Sequence, residues 1–458
     1  MKKGDLLIKN AVVVTPKSCT SADILVFEGK IEALLAPGSE CHADEVIDVE
    51  GRYVMPGCVD GHTHMMDHML ETDSTEYEDF TTGTMAAAVG GTTTVVDHHR
   101  SDPNVYSVEP LLQKIEYLAD KSCVDFGLKG GISPTNTDDL EAMWDAGVTG
   151  FKTFTCNLHG VKAMHTGFLM ESFSEVARID GTVLIHCEDD GICQYNEERL
   201  RREGRTDYFS QWEWRSKLAE RIAVKTVIEV AKETHCRVVI AHVSQPELLE
   251  LIYQAHKDGY EIYSESCPHY FNLTVENLKK KGPWAKFTPP MNTAEKVDEL
   301  WKLFDLGYVT TIGSDHCPYP KAKKLPGEKN MWNAPNGIPG VETALKLMLN
   351  GVNNGKTTIN RVVESMCENP AKVYGLFPQK GQIAVGADAD LVVLDMDKEE
   401  VISNDNIVSK CKWSPFDGKS IKGLPGIVFV RGKVVAQDGK FVGSTGYGKF
   451  IKRTKPSI

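Results

Sequence analysis

In the stretch Pro56-Gly57-Cys58-Val59-Asp60-Gly61-His62-Thr63-His64, a short apolar run ends in two histidines two residues apart. Side chains two apart on a β-strand point to the same side, so both imidazoles can reach one metal ion. Gly57 and Gly61 put the pair at the end of a strand. We predict that His62 and His64 bind metal there, the alternative being two ordinary histidines in a turn.

Apolar runs of strand length recur downstream of this stretch, and helical periods lie between most of them. Repeated β-then-α units predict the α/β class with a parallel sheet, and eight of them predict a closed (β/α)8 TIM-like barrel. Catalytic groups of such a barrel collect at the C-terminal ends of its strands. The predicted strands are 53–59, 92–97, 124–128, 150–154, 182–186, 237–242, 261–265 and 309–313.

Both ends of the chain have short strand-like runs with glycine-containing turns, which are typical of a small β-sandwich. We predict one β-sandwich domain built from residues 1–54 and from 376–458 with the tail, and a catalytic barrel inserted at 55–375. The strand-like runs are 6–14, 23–27, 31–34 and 46–49 near the start, and 389–394 and 426–436 near the end.

The composition, 41 % hydrophobic and 25 % charged, is that of a globular protein with ample material for a large core. A net charge of −13 argues against nucleic acid and membranes as partners, because an acidic protein repels phosphate and anionic lipid. No apolar run approaches the roughly 20 residues of a membrane span, and no signal peptide is recognised. The 12 cysteines lack paired CxxC spacing, which predicts a reduced, cytoplasmic protein.

Three further polar side chains stand at the ends of predicted strands. His186 ends the fifth strand, His242 ends the sixth, and Asp315 follows the eighth, which neighbours the first in a closed barrel. A lone histidine after an apolar strand is more often a hydrogen-bonded core residue, and a lone aspartate is often a helix N-cap. Because His62 and His64 share the same face, the set together predicts a hydrolytic metal centre.

Lys152 lies between Phe151 and Phe154 in an otherwise apolar strand. Burying a lysine is costly unless it is neutralised or paired, and desolvation favours the neutral amine. A neutral amine can add carbon dioxide and become a carbamate, which is an anionic oxygen ligand able to bridge two metal ions. By chemistry alone, a lysine paired with a buried carboxylate fits this position equally well.

The chain resembles the cyclic amidohydrolases, the branch of the metal-dependent amidohydrolase superfamily that contains hydantoinase, dihydropyrimidinase, allantoinase and dihydroorotase. The resemblance covers the chain from near Gly51 to Thr343, and the flanking β-domain matches too. The matching motifs are the opening stretch 56–64, Thr82-Gly83-Thr84 through Gly90-Gly91-Thr92-Thr93-Thr94, Gly150-Phe151-Lys152, Ser266-Cys267-Pro268-His269-Tyr270, Gly313-Ser314-Asp315-His316-Cys317-Pro318 and Asn336-Gly337-Ile338-Pro339-Gly340.

The resemblance implies a site for two divalent metal ions, expected to be zinc, that opens a small cyclic amide. Asp315 would accept the proton of water and return it to the leaving nitrogen. The implied substrate is a hydantoin- or dihydropyrimidine-like ring, the product an N-carbamoyl amino acid, and the assembly a homotetramer. The implied ligands are His62, His64 and Asp315 for one ion, His186 and His242 for the other, and carboxylated Lys152 with a hydroxide as bridges.

Substrate contacts follow from the same resemblance. The main chain near Thr288 and the pair Asn336-Gly337 would contact the ring amide. Dihydroorotases typically have an arginine where Met66 stands, which counts against that activity. Hydantoinases typically have a tyrosine five residues after the bridging lysine, and Asn157 occupies that position here.

Other interpretations stay open at this point. Trp413-Ser414-Pro415-Phe416 and residues 339–343 favour an allantoinase that converts allantoin to allantoate. Dihydropyrimidinase-related scaffold proteins resemble these enzymes but lack the metal ligands, whereas all six ligand positions are filled here. A mononuclear deaminase of the wider superfamily would not need Lys152. Three methionines could line an adaptable pocket, although core packing is the expected role: Met65, Met66 and Met69.

Overall fold

The computed structural model describes residues 4–65, 76–158 and 160–458 of the chain. These residues form two separate sheets, a mixed sheet of nine strands and a parallel sheet of eight. The predicted fold class, a (β/α)8 TIM-like barrel with a small β-sandwich domain formed from both chain ends, is confirmed as a parallel barrel and a separate mixed sheet. The limits proposed for the domains stay a prediction.

The described strands alternate with helices only in the middle of the chain, as the sequence predicts. In chain order they are β1 (Gly4–Val14), β2 (Cys19–Phe27), β3 (Lys30–Leu35), β4 (Ala43–Asp48), β5 (Tyr53–Pro56), β6 (Cys58–Thr63), β7 (Thr92–Asp97), β8 (Asp125–Gly131), β9 (Gly150–Phe154), β10 (Thr182–His186), β11 (Arg237–Ile240), β12 (Ile262–Ser266), β13 (Thr311–Ile312), β14 (Leu391–Val401), β15 (Ser420–Val430), β16 (Lys433–Gln437) and β17 (Lys440–Phe441).

The mixed sheet has the strand order β17-β16-β15-β14-β5-β1-β2-β3, and β4 pairs with β1 outside that path. Strand β5 joins the two ends of the chain, because it runs parallel to β1 and antiparallel to β14. Alternate side chains of these strands form a hydrophobic cluster of their own, which includes Ile8, Val54, Leu391 and Phe429. The two chain ends therefore fold together although the whole barrel separates them in sequence.

The parallel sheet runs in chain order from β6 to β13 and curves until its edges meet. A parallel bridge between Thr63 and His316 and a 2.7 Å hydrogen bond from the His64 amide to the His316 carbonyl link the two edges. All residues of the eight strands are buried, because side chains fill the barrel inside and helices cover it outside. Closure brings the ends of β6 and β13 side by side.

The sequence predicts the first barrel strand as one continuous run at 53–59, and the structure differs from that prediction. The structure divides that run at Gly57, so that Tyr53–Pro56 belongs to the mixed sheet and Cys58–Thr63 to the barrel. A Cβ atom at Gly57 would lie 2.1 Å from Thr93 Oγ1, so only glycine lets the chain cross between the sheets there. As a consequence, His62 lies on the barrel strand itself, near its C-terminal end.

The helices between the barrel strands pack their apolar faces on the outside of the barrel. In the parts of the chain that the structure describes, each helix is too short or too polar to span a bilayer. The α-helices are α1 (Phe80–Val89), α2 (Val108–Ala119), α3 (Leu140–Ala146), α4 (Thr166–Arg178), α5 (Asp190–Arg202), α6 (Phe209–Trp214), α7 (Lys217–Thr234), α8 (Pro246–Lys257), α9 (Val275–Lys281), α10 (Ala294–Asp305), α11 (Lys321–Lys324), α12 (Ala344–Asn353), α13 (Ile359–Val363) and α14 (Asn369–Val373), with a π-helical turn at Glu364–Glu368.

Helix α7 matters for the site because its start is fixed next to the barrel mouth. The hydroxyl of Ser216 accepts a hydrogen bond from the amide of Ala219 and so caps the first turn. Apolar residues on one face, among them Val227 and Ile228, are buried against the barrel. Arg215 stands directly before the cap, so its position follows from the anchoring of this helix.

Candidate metal centre

The ends of the barrel strands open into one cavity, and the ligands predicted from the sequence meet there. Each comes from a different strand end, except for the two histidines of the opening stretch. Closure of the barrel is what unites residues from the first and the last strand. The cavity is lined by His62, His64, Lys152, His186, His242 and Asp315, together with Phe154, Leu158, Phe287, Thr288, Cys317, Asn336 and Gly337.

One half of the cavity combines the paired histidines with the aspartate. The Nε2 atoms of His62 and His64 lie 3.4 and 3.2 Å from the same oxygen, Oδ1 of Asp315. Their ligand atoms all lie within 4.8 Å of one another, as three ligands of one ion would. The opposite nitrogen of His62, Nδ1, is 2.6 Å from Oε1 of the buried Glu265. Glu265 therefore fixes the ring so that Nε2 faces the cavity.

The segment that carries Asp315 is tied to the first barrel strand. Oδ1 of Asp60 accepts hydrogen bonds of 3.1 Å from the amides of both His62 and Ser314. Asp315 itself has a φ of 48°, in the left-handed region that few non-glycine residues adopt. Such strain is kept where the surrounding structure determines it, and here it turns the carboxylate towards the histidines.

The other half of the cavity contains the two remaining histidines. Nδ1 of His186 and Nε2 of His242 lie 3.0 Å apart. On its far side, His186 Nε2 is 2.7 Å from Oε2 of Glu188, which has no exposed surface. Each half thus has a histidine held from behind by a buried carboxylate, an arrangement that is common around protein-bound metal ions.

Lys152 lies between the two halves. Its Nζ is 3.4 Å from Nε2 of His62, and the side chain is almost wholly buried. Within the described residues Lys152 forms no ion pair with a carboxylate. The alternative interpretation of the sequence, a lysine paired with a buried carboxylate, is therefore not observed there. Burial lowers the pKa of the Lys152 amine below its ordinary value. A larger share of neutral amine results, and the neutral amine is the form that reacts with carbon dioxide.

Burial also sets the protonation of the other candidate ligands. It lowers the pKa of His62, His64 and His242 well below the ordinary value, and that of His186 in the same direction. Neutral imidazole is the form that binds metal. Burial raises the pKa of Asp315, which suits a carboxylate that has to hold a proton for part of a reaction. The nitrogen and oxygen donor atoms of these residues, and their protonation states, suit divalent cations such as zinc.

The predicted substrate contacts divide into two groups. Thr288 and Asn336 line the cavity, Thr288 with its hydroxyl bonded to Glu188 and Asn336 with its side-chain oxygen accepting from Gln211 at 2.9 Å. Asn157 is not among the lining residues, because its amide donates to Asp190 Oδ2 at 2.7 Å.

The wall beside Asn157 is apolar. Phe154 and Leu158 line the cavity there and belong to one small hydrophobic cluster, so this side suits a hydrocarbon group better than a charge. Phe287 also lines the cavity but packs in the main hydrophobic core. Met65 packs in the main hydrophobic core, in agreement with its expected role. Met66 and Met69 lie outside the described residues.

Sequence reasoning missed the carboxylates that orient the histidines. Glu265 is the acidic residue at the end of the seventh predicted strand, and Glu188 follows His186 by two residues, so strand-end position was a usable signal for both. Arg215, whose Nη1 is 3.2 Å from Oε2 of Glu188, lies in a linker between helices, where the sequence has no periodic signal. The buried Lys129 below the cavity was also not recognised.

Known proteins resemble this chain over most of its length. The model of the amidohydrolase family matches residues 53–435. The chain is 38 % identical to an L-hydantoinase of Paenarthrobacter aurescens over 98 % of both chains, and 34 % identical to a D-hydantoinase of Ralstonia pickettii over 98 % of this chain and 99 % of that protein. An allantoinase of Deinococcus radiodurans is 32 % identical over 96 % of this chain and 97 % of its own length.

A solved structure has the same fold throughout. The L-hydantoinase (dihydropyrimidinase) from Arthrobacter aurescens superposes with a TM-score of 0.96 at 37 % identity, covering 98 % of this chain and all of that one. The family match and these full-length similarities lead to one conclusion. The chain belongs to the amidohydrolase family, within its branch of cyclic amidohydrolases.

Proposed function

We propose that this chain hydrolyses a hydantoin- or dihydropyrimidine-like cyclic amide to an N-carbamoyl amino acid at a centre of two divalent metal ions. The observation that carries the proposal is the convergence of one candidate ligand set on a single cavity. The proposed ligands are His62, His64 and Asp315 for one ion, His186 and His242 for the other, and carboxylated Lys152 between them. Zinc is the expected metal, since histidine nitrogen and carboxylate oxygen are ligands that it commonly takes.

Lys152 is proposed to enter the site as a carbamate. The neutral amine attacks carbon dioxide, a nitrogen–carbon bond forms, and the amine proton leaves to solvent. The product carries a negative charge where the unmodified side chain would carry a positive one. Burial favours this outcome because it disfavours the ammonium form of Lys152.

When bound, the ions supply a lowered pKa for water and polarise the amide carbonyl. Asp315 accepts the proton from the attacking water and later donates it to the leaving ring nitrogen, which is the two-way role of a general acid–base. His62 and His186 are kept in one orientation by Glu265 and Glu188. The main chain at Thr288 and the Asn336-Gly337 pair is proposed to orient the ring amide.

Substituted hydantoins are the preferred substrates. Two of the full-length relatives are named L-hydantoinase and D-hydantoinase. The apolar side chains of Phe154 and Leu158, which line the cavity from one cluster, suit a hydrocarbon substituent on the ring. Allantoin is the second candidate, because an allantoinase is similar over nearly the whole chain.

A substrate panel tests the proposal. Zinc-loaded protein is assayed with 5-benzylhydantoin, hydantoin, dihydrouracil and allantoin, and ring opening is followed by chromatography of the acid product. We expect 5-benzylhydantoin to have the highest kcat/KM, with Asp315→Asn as an inactive control that retains the fold. Turnover of allantoin alone would favour the second candidate, and turnover of none, with no metal bound, would favour a non-catalytic scaffold.

We further propose a cytoplasmic homotetramer. All 12 cysteines are free thiols, which supports a reducing compartment. Three large apolar side chains on neighbouring helices are exposed, Tyr195 on α5 and Leu218 and Ile222 on α7, and could be covered by another subunit. Light scattering of the purified chain tests the assembly, and a mass of four chains is expected.

A further inference from the structure

A buried ion pair stands directly behind the metal centre. Glu188 has no exposed surface, and its carboxylate accepts hydrogen bonds from three side chains. The donors are His186 Nε2 at 2.7 Å, the Thr288 hydroxyl at 2.8 Å and Arg215 Nη1 at 3.2 Å. One carboxylate therefore contacts a proposed metal ligand, a lining residue of the substrate cavity and a guanidinium at the same time.

Arg215 is buried as well and is anchored on several sides. Its Nη1 is 3.1 Å from Sγ of Cys156, and its Nη2 donates to the carbonyl of Asn157 at 3.3 Å. The guanidinium also lies over the ring of Trp214, 4.3 Å from the ring centre. Since buried charges are costly unless paired, Glu188 and Arg215 depend on each other.

The partners of Arg215 would form a cation site if the guanidinium were absent. Ligand atoms of Cys156, His186 and Glu188 lie within 4.8 Å of one another. Thiolate, imidazole and carboxylate are a donor set that zinc or cadmium accepts. The guanidinium lies within 3.2 Å of the sulfur and of the carboxylate, and thus fills this place with a fixed positive charge.

The contact with Glu188 also decides which nitrogen of His186 faces the cavity. A carboxylate accepts hydrogen bonds, so Nε2 of His186 carries the hydrogen and Nδ1 keeps its lone pair. Nδ1 is the atom that lies 3.0 Å from Nε2 of His242 in the cavity. A metal ion behind the ring would instead need the lone pair on Nε2 and would turn this arrangement around.

We propose that Arg215 and Glu188 are positioning residues that keep metal out of the Cys156–His186–Glu188 set and direct Nδ1 of His186 to the metal centre. The inference rests on the proposed function, but it concerns where the ions bind and not which ring is opened. The same carboxylate takes the hydroxyl hydrogen of Thr288, so it also holds that part of the cavity wall.

The test measures metal directly in the full-length chain. Wild type, Arg215→Met and Arg215→Met/Cys156→Ser are loaded with cadmium, and bound metal is counted by mass spectrometry. Ultraviolet spectra report cadmium–thiolate charge transfer. We expect two ions in wild type, a stronger thiolate band in Arg215→Met than in wild type, and a return to the wild-type band in the double variant. Arg215→Met with a band no stronger than that of wild type, at wild-type stoichiometry, would overturn the proposal.

Glu188→Gln provides the second measurement. We expect the dissociation constant of the ion proposed at His186 and His242 to rise by about 10- to 100-fold, because an outer partner of a ligating histidine is lost. Glu342→Gln is the matched control, since Glu342 is also a buried carboxylate but accepts from the amides of Val408 and Ser409. Equal metal affinity in Glu188→Gln and Glu342→Gln would contradict a positioning role.

Failure of this inference and failure of the proposed function give different results. Wild-type protein that binds no metal at all would contradict the proposed function. Wild type with two ions and unchanged Arg215→Met and Glu188→Gln variants would contradict only the inference. Arg215→Lys distinguishes misfolding from loss of the guanidinium, because it keeps the charge. We expect Arg215→Lys to show little or no thiolate band beyond that of wild type. A band as strong as that of Arg215→Met would contradict the idea that a positive side chain at this position occupies the place of a cation.

Discussion

Lys129 and Lys152 stand on the neighbouring strands β8 and β9, and both are almost wholly buried, yet only Lys152 lines the cavity. Lys129 pairs with Gly150, whereas Lys152 pairs with Gly131. The two lysines therefore stand two residues apart along the strand direction, and Lys152 lies about 7 Å nearer the C-terminal mouth of the barrel. Lys129 instead donates to the carbonyl of Gly61 and covers the ring of Tyr374.

The two lysines show what burial can and cannot explain. Burial lowers the pKa of both amines, so both are chemically able to become neutral. Position along the strand decides the consequence: one amine faces the histidines, and the other binds the backbone below them. A lowered pKa alone therefore does not identify a metal-bridging lysine.

Lys152→Ala should have the largest effect. Loss of the bridging ligand should cost about 4 kcal/mol of transition-state stabilisation, or about 10³-fold in kcat. Bound zinc should fall from two ions per chain towards one or none, which mass spectrometry of the metal measures. Full activity and full metal content in this variant would mean that Lys152 has no role in metal binding, and that Lys129 and Lys152 differ only in position.

Glu265→Gln should have the second largest effect. The side chain of Glu265 orients His62 at 2.6 Å. Burial raises the pKa of Glu265 to about 8, and the nearby Lys152 and Lys129 oppose that rise. Loss of such a partner typically costs about 10- to 100-fold in metal affinity or activity. Competition with a coloured zinc chelator measures the affinity. Unchanged affinity would show that the ring of His62 does not need this support.

Lys129→Met should lower stability more than activity. Removal of the amine leaves the buried carbonyl of Gly61 without its donor, which costs about 1–3 kcal/mol. We expect kcat within about tenfold of wild type and two bound ions, with urea denaturation reporting the loss of stability. A variant as inactive as Lys152→Ala would remove the distinction between the two lysines.

A third buried lysine, Lys286, gives the smallest effect and the clearest pH dependence. Burial lowers its pKa to about 7, and its Nζ donates to the carbonyls of Met331 and Ala334. Between pH 7 and its ordinary pKa of 10.5 the unfolded chain holds a proton that the folded chain lacks, so stability rises with pH there and is lost as pH falls to 7. Urea denaturation at pH 7 and 9 should show a smaller rise in Lys286→Met than in wild type. An equal rise would contradict the lowered pKa.

The sequence predicted the fold well because each barrel strand is a self-contained apolar run. The largest departure was the run at 53–59, where a continuous apolar pattern hides the change of sheet at Gly57. The predicted strand 309–313 is also shorter in the structure, at Thr311–Ile312. Gly57 is required there because the chain packs closely against Thr93. This tertiary contact cannot be inferred from the local sequence pattern.

The candidate ligands were predictable because they stand near the C-terminal ends of the barrel strands. Closure of the barrel brings these strand ends close together. The groups that orient them were harder to find. Arg215 comes from a helix linker, and its contacts with Cys156 and Glu188 join segments far apart in sequence. Asn157 could be located along the chain, but the direction of its side chain depends on Asp190.

We propose that two cations are held around a modified Lys152. A crystal structure of zinc-loaded protein, grown with bicarbonate and measured at the zinc absorption edge, would reveal both ions and the modification. We expect two anomalous peaks, one beside His62, His64 and Asp315 and one beside His186 and His242, with carboxylate density continuing from the Lys152 amine. An unmodified amine with a single peak, or with zinc bound elsewhere, would contradict the account.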